Sequence, residues 1–333
     1  MQRPRIPFSV LDLAPILKGG TAADAFRRTV DLAQQAEKLG FYRYWLAEHH
    51  NMRGIASAAT SVLIGHVAGQ TSTIRVGSGG IMLPNHSPLV IAEQFGTLAS
   101  LYPGRIDLGL GRAPGSDQVT ARALRRDLRG GADSFPEDIL ELQSYFQPPT
   151  RQLVRAVPGG GLEVEFWLLG SSLFSAQLAA QMGLPYAFAL HFAPEHFLEA
   201  IKIYRANFQP SEKLKRPHVM VGLNIFAADR DAEASILLTS LQQQFINLRR
   251  GVPSELQPPV EKMDWTPWEQ QSMEGLLAGV ILGSRATVYT QLKNFIEKIM
   301  PDEILVTAQI FDHAARVRSF EIVAEVRDRL FAS

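Results

Sequence analysis

Apolar residues return along this chain with two alternating periods. Short, compact apolar runs, bounded by glycine, proline or polar clusters, alternate with longer stretches in which apolar positions recur every three or four residues. The first run covers 6–14. A helix is then predicted over 21–39, with Ala25, Val30, Leu32, Ala33, Ala36 and Leu39 at helical spacing and Gly40 at its end. The unit repeats. Strands are predicted at the runs beginning at Ile6, Tyr42, Ile74, Arg105, Phe166, Tyr186, Val219 and Glu303, and helices over 56–70, 89–101, 136–146, 172–182, 194–208, 231–250, 268–282, 286–299 and 313–330. Eight strands alternating with helices predict an α/β fold, a (β/α)8 TIM barrel in a single domain over 1–333. A doubly wound open sheet is the alternative that the same pattern allows. Two excursions interrupt the alternation: 121–161, with Arg122, Arg125, Arg126 and Arg129 on one helical segment, and 251–267, with Pro253, Pro258, Pro259 and Pro267. The arginine run is most simply a solvated helix face, or else a steering patch near the site.

Charge narrows the partners. The 33 basic and 33 acidic residues cancel, so neither a nucleic-acid footprint nor an anionic-membrane footprint is present, and a small molecule is the expected partner. The chain has no cysteine, which excludes disulfides, thiolate metal sites and a cysteine nucleophile; redox chemistry would need a bound cofactor. Pro7, Asp12 and Pro15 break up the first apolar run and no small-residue cleavage site follows, so no signal peptide is expected. With no uninterrupted apolar span, a cytoplasmic protein is the plain expectation.

In a barrel the C-terminal ends of the strands share one rim, so residues there converge whatever their separation in sequence. That set comprises Glu48, His49 and His50; Gly79, Gly80, Asn85 and His86; Gly109, Gly111, Arg112 and Gly115; Gly170, Ser171, Ser172 and Ser175; and His191. Glycines inside the apolar 74–83 strand imply a bulge or the close approach of something flat. Gly109 to Gly115 with Arg112 could hold a phosphate, although the G-x-G-x-x-x-G spacing is not the dinucleotide fingerprint. Gly170-Ser171-Ser172 and Ser175 open a helix, where backbone N–H groups and hydroxyls bind anions; a serine there is also simply a cap. Adjacent His49 and His50 point in different directions, and neither His-x-His nor H-E-x-x-H occurs, so no metal site is expected. His86 and His191, each taken alone, read as structural. No G-x-S-x-G elbow supports a serine hydrolase.

Trp45-Leu46-Ala47-Glu48-His49-His50, Val76-Gly77-Ser78-Gly79-Gly80-Ile81-Met82-Leu83-Pro84, Pro103-Gly104-Arg105 with Gly109-Leu110-Gly111-Arg112, and Ala179-Ala180-Gln181-Met182-Gly183-Leu184-Pro185 together resemble the bacterial-luciferase-like flavin monooxygenases. The match runs nearly end to end. It is closer to the luciferase-like monooxygenase branch than to the light-emitting subunits. The resemblance implies a (β/α)8 barrel that binds FMN at its C-terminal rim, with reduced FMN supplied by a separate NAD(P)H:flavin reductase. It also implies that oxygen adds at the flavin C4a and that the hydroperoxide oxygenates a small organic substrate. His49 falls on the histidine that assists the flavin–oxygen step, with Glu48 in support. Gly79 and Gly80 fall on the pair joined by a non-proline cis peptide beneath the ring, and Arg112, Ser172 and Ser175 fall on phosphate-binding positions. Ser78, Gly111, Gly170 and Ser171 complete the expected cofactor-binding set.

There are departures. Gly111 stands where the luciferase catalytic subunit carries a reactive cysteine, and the 251–267 excursion differs from the luciferase mobile loop. Relatives are often dimers packed through early barrel helices, so a homodimer through the apolar 56–70 helix is expected. Three other readings compete: a deazaflavin-dependent oxidoreductase, a non-catalytic flavin-binding protein, and a metal-dependent hydrolase on the same barrel.

Overall fold

The computed structural model describes residues 5–112, 118–124, 134–148, 153–277 and 279–332. Eight parallel strands close into a barrel: β1 (Phe8–Asp12), β2 (Arg43–Leu46), β3 (Arg75–Met82), β4 (Ile106–Gly111), β5 (Glu165–Gly170), β6 (Tyr186–Phe188), β7 (Val219–Ala227) and, after the short β8 (Ile281–Gly283), β9 (Glu303–Thr307). Neighbours pair in that order, β7 to β9 and β9 back to β1, which closes the ring. The open-sheet alternative is thereby excluded. Strand β8 pairs only with the end of β7, at 225–227 against 281–283, and lies outside the ring.

The helices are α1 (Ala22–Lys38), α2 (Thr60–Gly69), α3 (Pro88–Leu101), α4 (Gln118–Ala123), α5 (Phe135–Tyr145), α6 (Leu173–Gln181), α7 (Phe197–Asn207), α8 (Asp231–Arg249), α9 (Pro267–Leu277), α10 (Arg285–Ile299) and α11 (His313–Leu330). Helix α1 shows why such segments form. Thr21 and Asp24 make a reciprocal capping box, and Ala25, Thr29, Leu32, Ala33 and Ala36 bury a stripe against the sheet. Helix α9 ends five residues earlier than the apolar pattern predicts; Ile281 and Leu282 belong to β8 instead.

Each barrel strand is buried on both faces, so the strands read as apolar runs with little alternation. The period of two still governs what points inward. Tyr44 and Leu46 pack in the outer core between barrel and helices, whereas Trp45 and Ala47 join Leu11, Trp167, Ala187, Met220 and Leu305 in a separate inner cluster. The two indoles meet edge to face, with ring centroids 5.3 Å apart.

Below them the closed end of the barrel is ionic. Arg43 reaches Asp107 on β4 at 2.9 Å, Glu165 on β5 at 3.0 Å and Glu303 on β9 at 3.1 Å. Arg75 joins from β3 through Asp107 and Glu165. The indole N–H groups of Trp45 and Trp167 donate to Asp107 and Glu165. At the open end, Asp12 accepts from the Ala14 N–H, Thr29, Tyr44 and Arg316, tying the end of β1 to α1 and α11.

The 251–267 excursion crosses this open end: Leu256 exchanges backbone hydrogen bonds with Ile16 and Lys18, and its neighbour Ser254 lies against Gly54. It therefore walls the mouth beside the loops that follow β1 and β2.

Arg43→Met is expected to cost about 3–5 kcal/mol in chemical denaturation, because it leaves the buried Glu303 carboxylate without its arginine and breaks the network on Asp107. Removing the exposed Arg5–Asp328 pair should cost less than about 1 kcal/mol in the same assay.

Candidate active site at the barrel mouth

Strand β2 ends at Leu46, and the inward sequence Arg43, Trp45, Ala47 continues to His49 above the tryptophan layer. His49 is half-buried, and neither ring nitrogen is hydrogen-bonded to another described residue. Burial holds its pKa below the ordinary histidine value, against the Glu48 carboxylate, which favours the charged ring; His50 adds to the lowering. A neutral imidazole with free nitrogens is suited to taking up a proton.

Glu48 is differently placed. It is buried, and one carboxylate oxygen accepts from both His50 Nε2 and His86 Nε2 at 2.7 Å each while the other accepts the Met82 N–H at 3.1 Å. Burial raises its pKa, but the histidine and Met82 hydrogen bonds outweigh that and hold the carboxyl below its usual range. Glu48 thus clamps the end of β2 to the end of β3. Sequence spacing offered no metal site, yet Glu48, His50 and His86 bring three potential ligand atoms within 4.8 Å of one another. Their 2.7 Å separations are those of hydrogen bonds, which an ion would have to break.

The Gly79-Gly80 peptide is cis. The register of β3 on β4 shifts between Ser78 and Ile81, and the Ser78 hydroxyl bridges the shift by donating to the Gly109 carbonyl at 2.8 Å and accepting the Gly109 N–H at 3.0 Å. The side chain of Ser78 is therefore committed to the sheet and not free for a cofactor. A methyl group on Gly79 would lie 2.7 Å from Leu11, and one on Gly109 only 2.2 Å from the Ser78 carbonyl. Barrel packing alone thus demands glycine at Gly109, where the clash is with backbone, whereas at Gly79 the end of the Leu11 side chain would have to shift. At Gly111 the nearest atom to an added Cβ is 3.8 Å away, so that position opens onto the mouth.

Arg112, one residue past β4, stacks its guanidinium 4.3 Å from the ring centroid of Phe174 in the first turn of α6. Adjacent strands bring the two together across 60 residues of sequence. Ser172 is the N-cap of α6, accepting the Ser175 N–H at 3.3 Å. Ser175 is buried; its hydroxyl donates to the Ser172 carbonyl at 2.8 Å, meets the Tyr186 hydroxyl at 3.1 Å and lies 3.3 Å from the Ser172 hydroxyl, so it stabilises the helix start. Gly170 makes room for it, since an added Cβ would lie 2.3 Å from that hydroxyl. Ser171 is half-buried beside Ser172. Gly115, Arg125, Arg126 and Arg129 lie outside the described residues, and of Arg122 only the backbone is described.

His191 had read as structural, but its ring enters the barrel. Its backbone N–H donates to Gly222 on β7 at 2.8 Å, and a Cβ on Gly222 would come within 2.4 Å of its Nδ1. Burial pushes this imidazole down to about 4; the Gly222 carbonyl works weakly against that and a charge on His49 with it. The available sequence signal was Gly222 inside an otherwise bulky strand.

The profile of the luciferase-like monooxygenase family matches residues 6–302. The chain belongs to that family. It is 56% identical to a luciferase-like monooxygenase of Escherichia coli (strain K12) over 328 residues, 98% of each chain. It is 37% identical to the N-acetyl-S-alkylcysteine monooxygenase of Bacillus subtilis (strain 168) over 253 residues, 74% of this chain and 75% of that one. Among solved structures it is similar to apo-MsnO8, with a TM-score of 0.87 and 33% identity over 96% of this chain and 98% of that chain. No helix among the described residues is long and apolar enough to cross a membrane.

The low pKa of His191 has a measurable consequence. Histidine in an unfolded chain titrates near 6.5, so between that value and about 4 the folded chain binds fewer protons than the unfolded one, and stability is lost as pH falls through the window. In urea titrations the wild type is expected to lose up to about 3 kcal/mol more than His191→Gln between pH 7 and pH 4. Parallel pH profiles would contradict a neutral buried ring.

Proposed function

We propose that this protein is an FMN-dependent monooxygenase that takes reduced FMN from a separate NAD(P)H:flavin reductase and oxygenates a small organic molecule. The observation that carries the reading is the convergence, at one barrel mouth, of a cation stacked over a helix start, a backbone passage without side chains, and an unpaired neutral imidazole. Membership of the luciferase-like monooxygenase family supports it, as does a relative named for oxygenating an N-acetyl-S-alkylcysteine. Reduced FMN supplies two electrons to O2, one oxygen atom entering the substrate and the other leaving as water.

The residues at the mouth fit this cofactor. Arg112 presents a planar two-pronged donor beside the N-terminus of α6, where helix dipole and hydroxyls of Ser171 and Ser172 favour a phosphate dianion. Gly79, Gly80 and Gly111 leave backbone, without side chains, for a flat ring to lie against. His49, neutral at pH 7, accepts or returns a proton at a ring nitrogen. Glu48 acts through its hold on Met82, His50 and His86 as a positioning residue. A homodimer through α2 goes with this reading: α2 is apolar on most sides, and Val62 and Leu101 are exposed on α2 and the neighbouring α3.

Arg112→Ala is expected to weaken FMN binding by roughly 1.5–3 kcal/mol, the scale of a hydrogen bond to a charged group, and to leave riboflavin affinity unchanged. Equal losses for both ligands would reject the phosphate assignment. His49→Asn should keep FMN affinity while lowering oxygenation about 100- to 10,000-fold in a reductase-coupled assay, the range for removing a general acid–base. Turnover that persists under argon would identify a hydride-transferring deazaflavin enzyme instead. Unchanged NADH and O2 consumption across a broad substrate panel would indicate a flavin-binding protein without activity.

A further inference from the structure

Among the described residues, seven buried side-chain nitrogen or oxygen atoms make no hydrogen bond of good geometry, and three of them lie on elements of the barrel mouth: His191 Nδ1, which has only the Gly222 carbonyl nearby, Thr307 Oγ1 and Gln309 Oε1. Folded proteins keep few such atoms, because each forfeits its hydrogen bonds to water. Three together on adjoining elements call for an explanation.

Backbone pairing puts Thr307 and His191 on elements that both flank β7, and Gln309 follows Thr307 on the same face. Thr307 at the end of β9 is the register partner of Asn224 on β7, and Asn224 Nδ2 donates to the His191 carbonyl at 2.6 Å. The His191 ring lies on the inner side of Gly222. Beyond Leu305 of the inner cluster, Val306, Ala308 and Ile310 pack into the outer core, so Thr307 and Gln309 continue the inner face. Both are nearly inaccessible, at 2% and 8% exposure. In the closed ring, β9 stands opposite β4, which carries Arg112.

We propose that His191, Thr307 and Gln309 form the polar subsite of the substrate, built for an uncharged group that presents a hydrogen-bond donor and acceptor side by side, as an amide does. Gln309 Oε1 can only accept and therefore requires an N–H or O–H from the ligand. The Thr307 hydroxyl and His191 Nδ1 can each donate to a carbonyl. A carboxylate has no donor for Gln309, and a hydrocarbon leaves all three atoms unpaired. Calling the bound molecule a substrate rests on the monooxygenase reading; the subsite itself does not.

The test is ligand binding to the purified full chain without flavin. Benzamide is the probe, with benzoate and toluene as its charged and apolar counterparts, followed by saturation-transfer NMR and by the His191 ring carbon shift. Benzamide is expected to bind at least tenfold more tightly than either counterpart and to shift the His191 signal. Thr307→Val and Gln309→Leu should each weaken benzamide at least fivefold, hold or raise the thermal unfolding midpoint, and leave FMN affinity within twofold. A lowered midpoint with benzamide binding intact would assign these atoms to the fold, and a parallel loss of FMN affinity would assign them to the cofactor. Either result overturns the proposal, as does equal binding of benzoate. Absence of oxygenation with reductase and O2 would sink the monooxygenase reading while leaving the binding result in place.

Discussion

The rest of the structure stands on Arg43. Its guanidinium sits inside the barrel and ties β2 to β4, β5 and β9 through Asp107, Glu165 and Glu303. A buried ion network of this kind adds little net stability over an apolar filling, since desolvation consumes most of its Coulombic gain. Its geometric demand is the larger effect. Three carboxylates from three strands must reach one planar group, and a slip of one residue in any of those strands would turn its carboxylate out of the barrel. The two indoles hang their N–H groups on the same carboxylates, and Leu11, Met220 and Leu305 pack around them. Gly79 then rests on Leu11 and Trp45. The floor of the mouth is thus fixed, layer by layer, from the closed end.

Above that floor the polar groups divide in two. Glu48, Ser78 and Ser175 spend their hydrogen-bonding capacity on the protein, joining β2 to β3, β3 to β4, and α6 to β6. Among the described residues, His191 Nδ1, Thr307 Oγ1 and Gln309 Oε1 make no such bond of good geometry, and Arg112 stacks on Phe174. Rigid elements bearing satisfied polar groups therefore surround a smaller set that remains free to meet a ligand. The 251–267 segment, fastened to the β1 and β2 loops at Leu256, closes one side.

Much of this was legible in the sequence, and the rest failed for identifiable reasons. Parallel strands buried on both faces leave unbroken apolar runs, which is why all eight barrel strands could be read and the closed ring followed. Strand β8 could not, because three residues that continue the apolar pattern of α9 carry no period of their own. The rim residues were found because strand ends converge. Which hydroxyl would be free was not readable, since Ser78 is claimed by Gly109 and Ser175 by Tyr186, partners decided only by the fold. The glycines have mixed causes: the β3 register shifts between Ser78 and Ile81, as the glycine-rich strand implied, Gly109 is required by the Ser78 carbonyl, and Gly111 has no close neighbour among the described residues. That the His191 ring would be buried was not readable either, because the space for it is made by Gly222, on the next strand.

The two imidazoles at the mouth differ in their electrostatic surroundings. Both are desolvated, and a charge on His49 disfavours one on His191. They differ in what else they face. Glu48 lies beside His49 and favours its charged form, partly offsetting burial, whereas His191 has only the Gly222 carbonyl in its favour and falls to about 4. A charge on His49 makes His191 harder to charge, so the two rings do not both carry a proton readily. The Glu48 carboxylate is itself held below its usual range by its hydrogen bonds to His50, His86 and Met82.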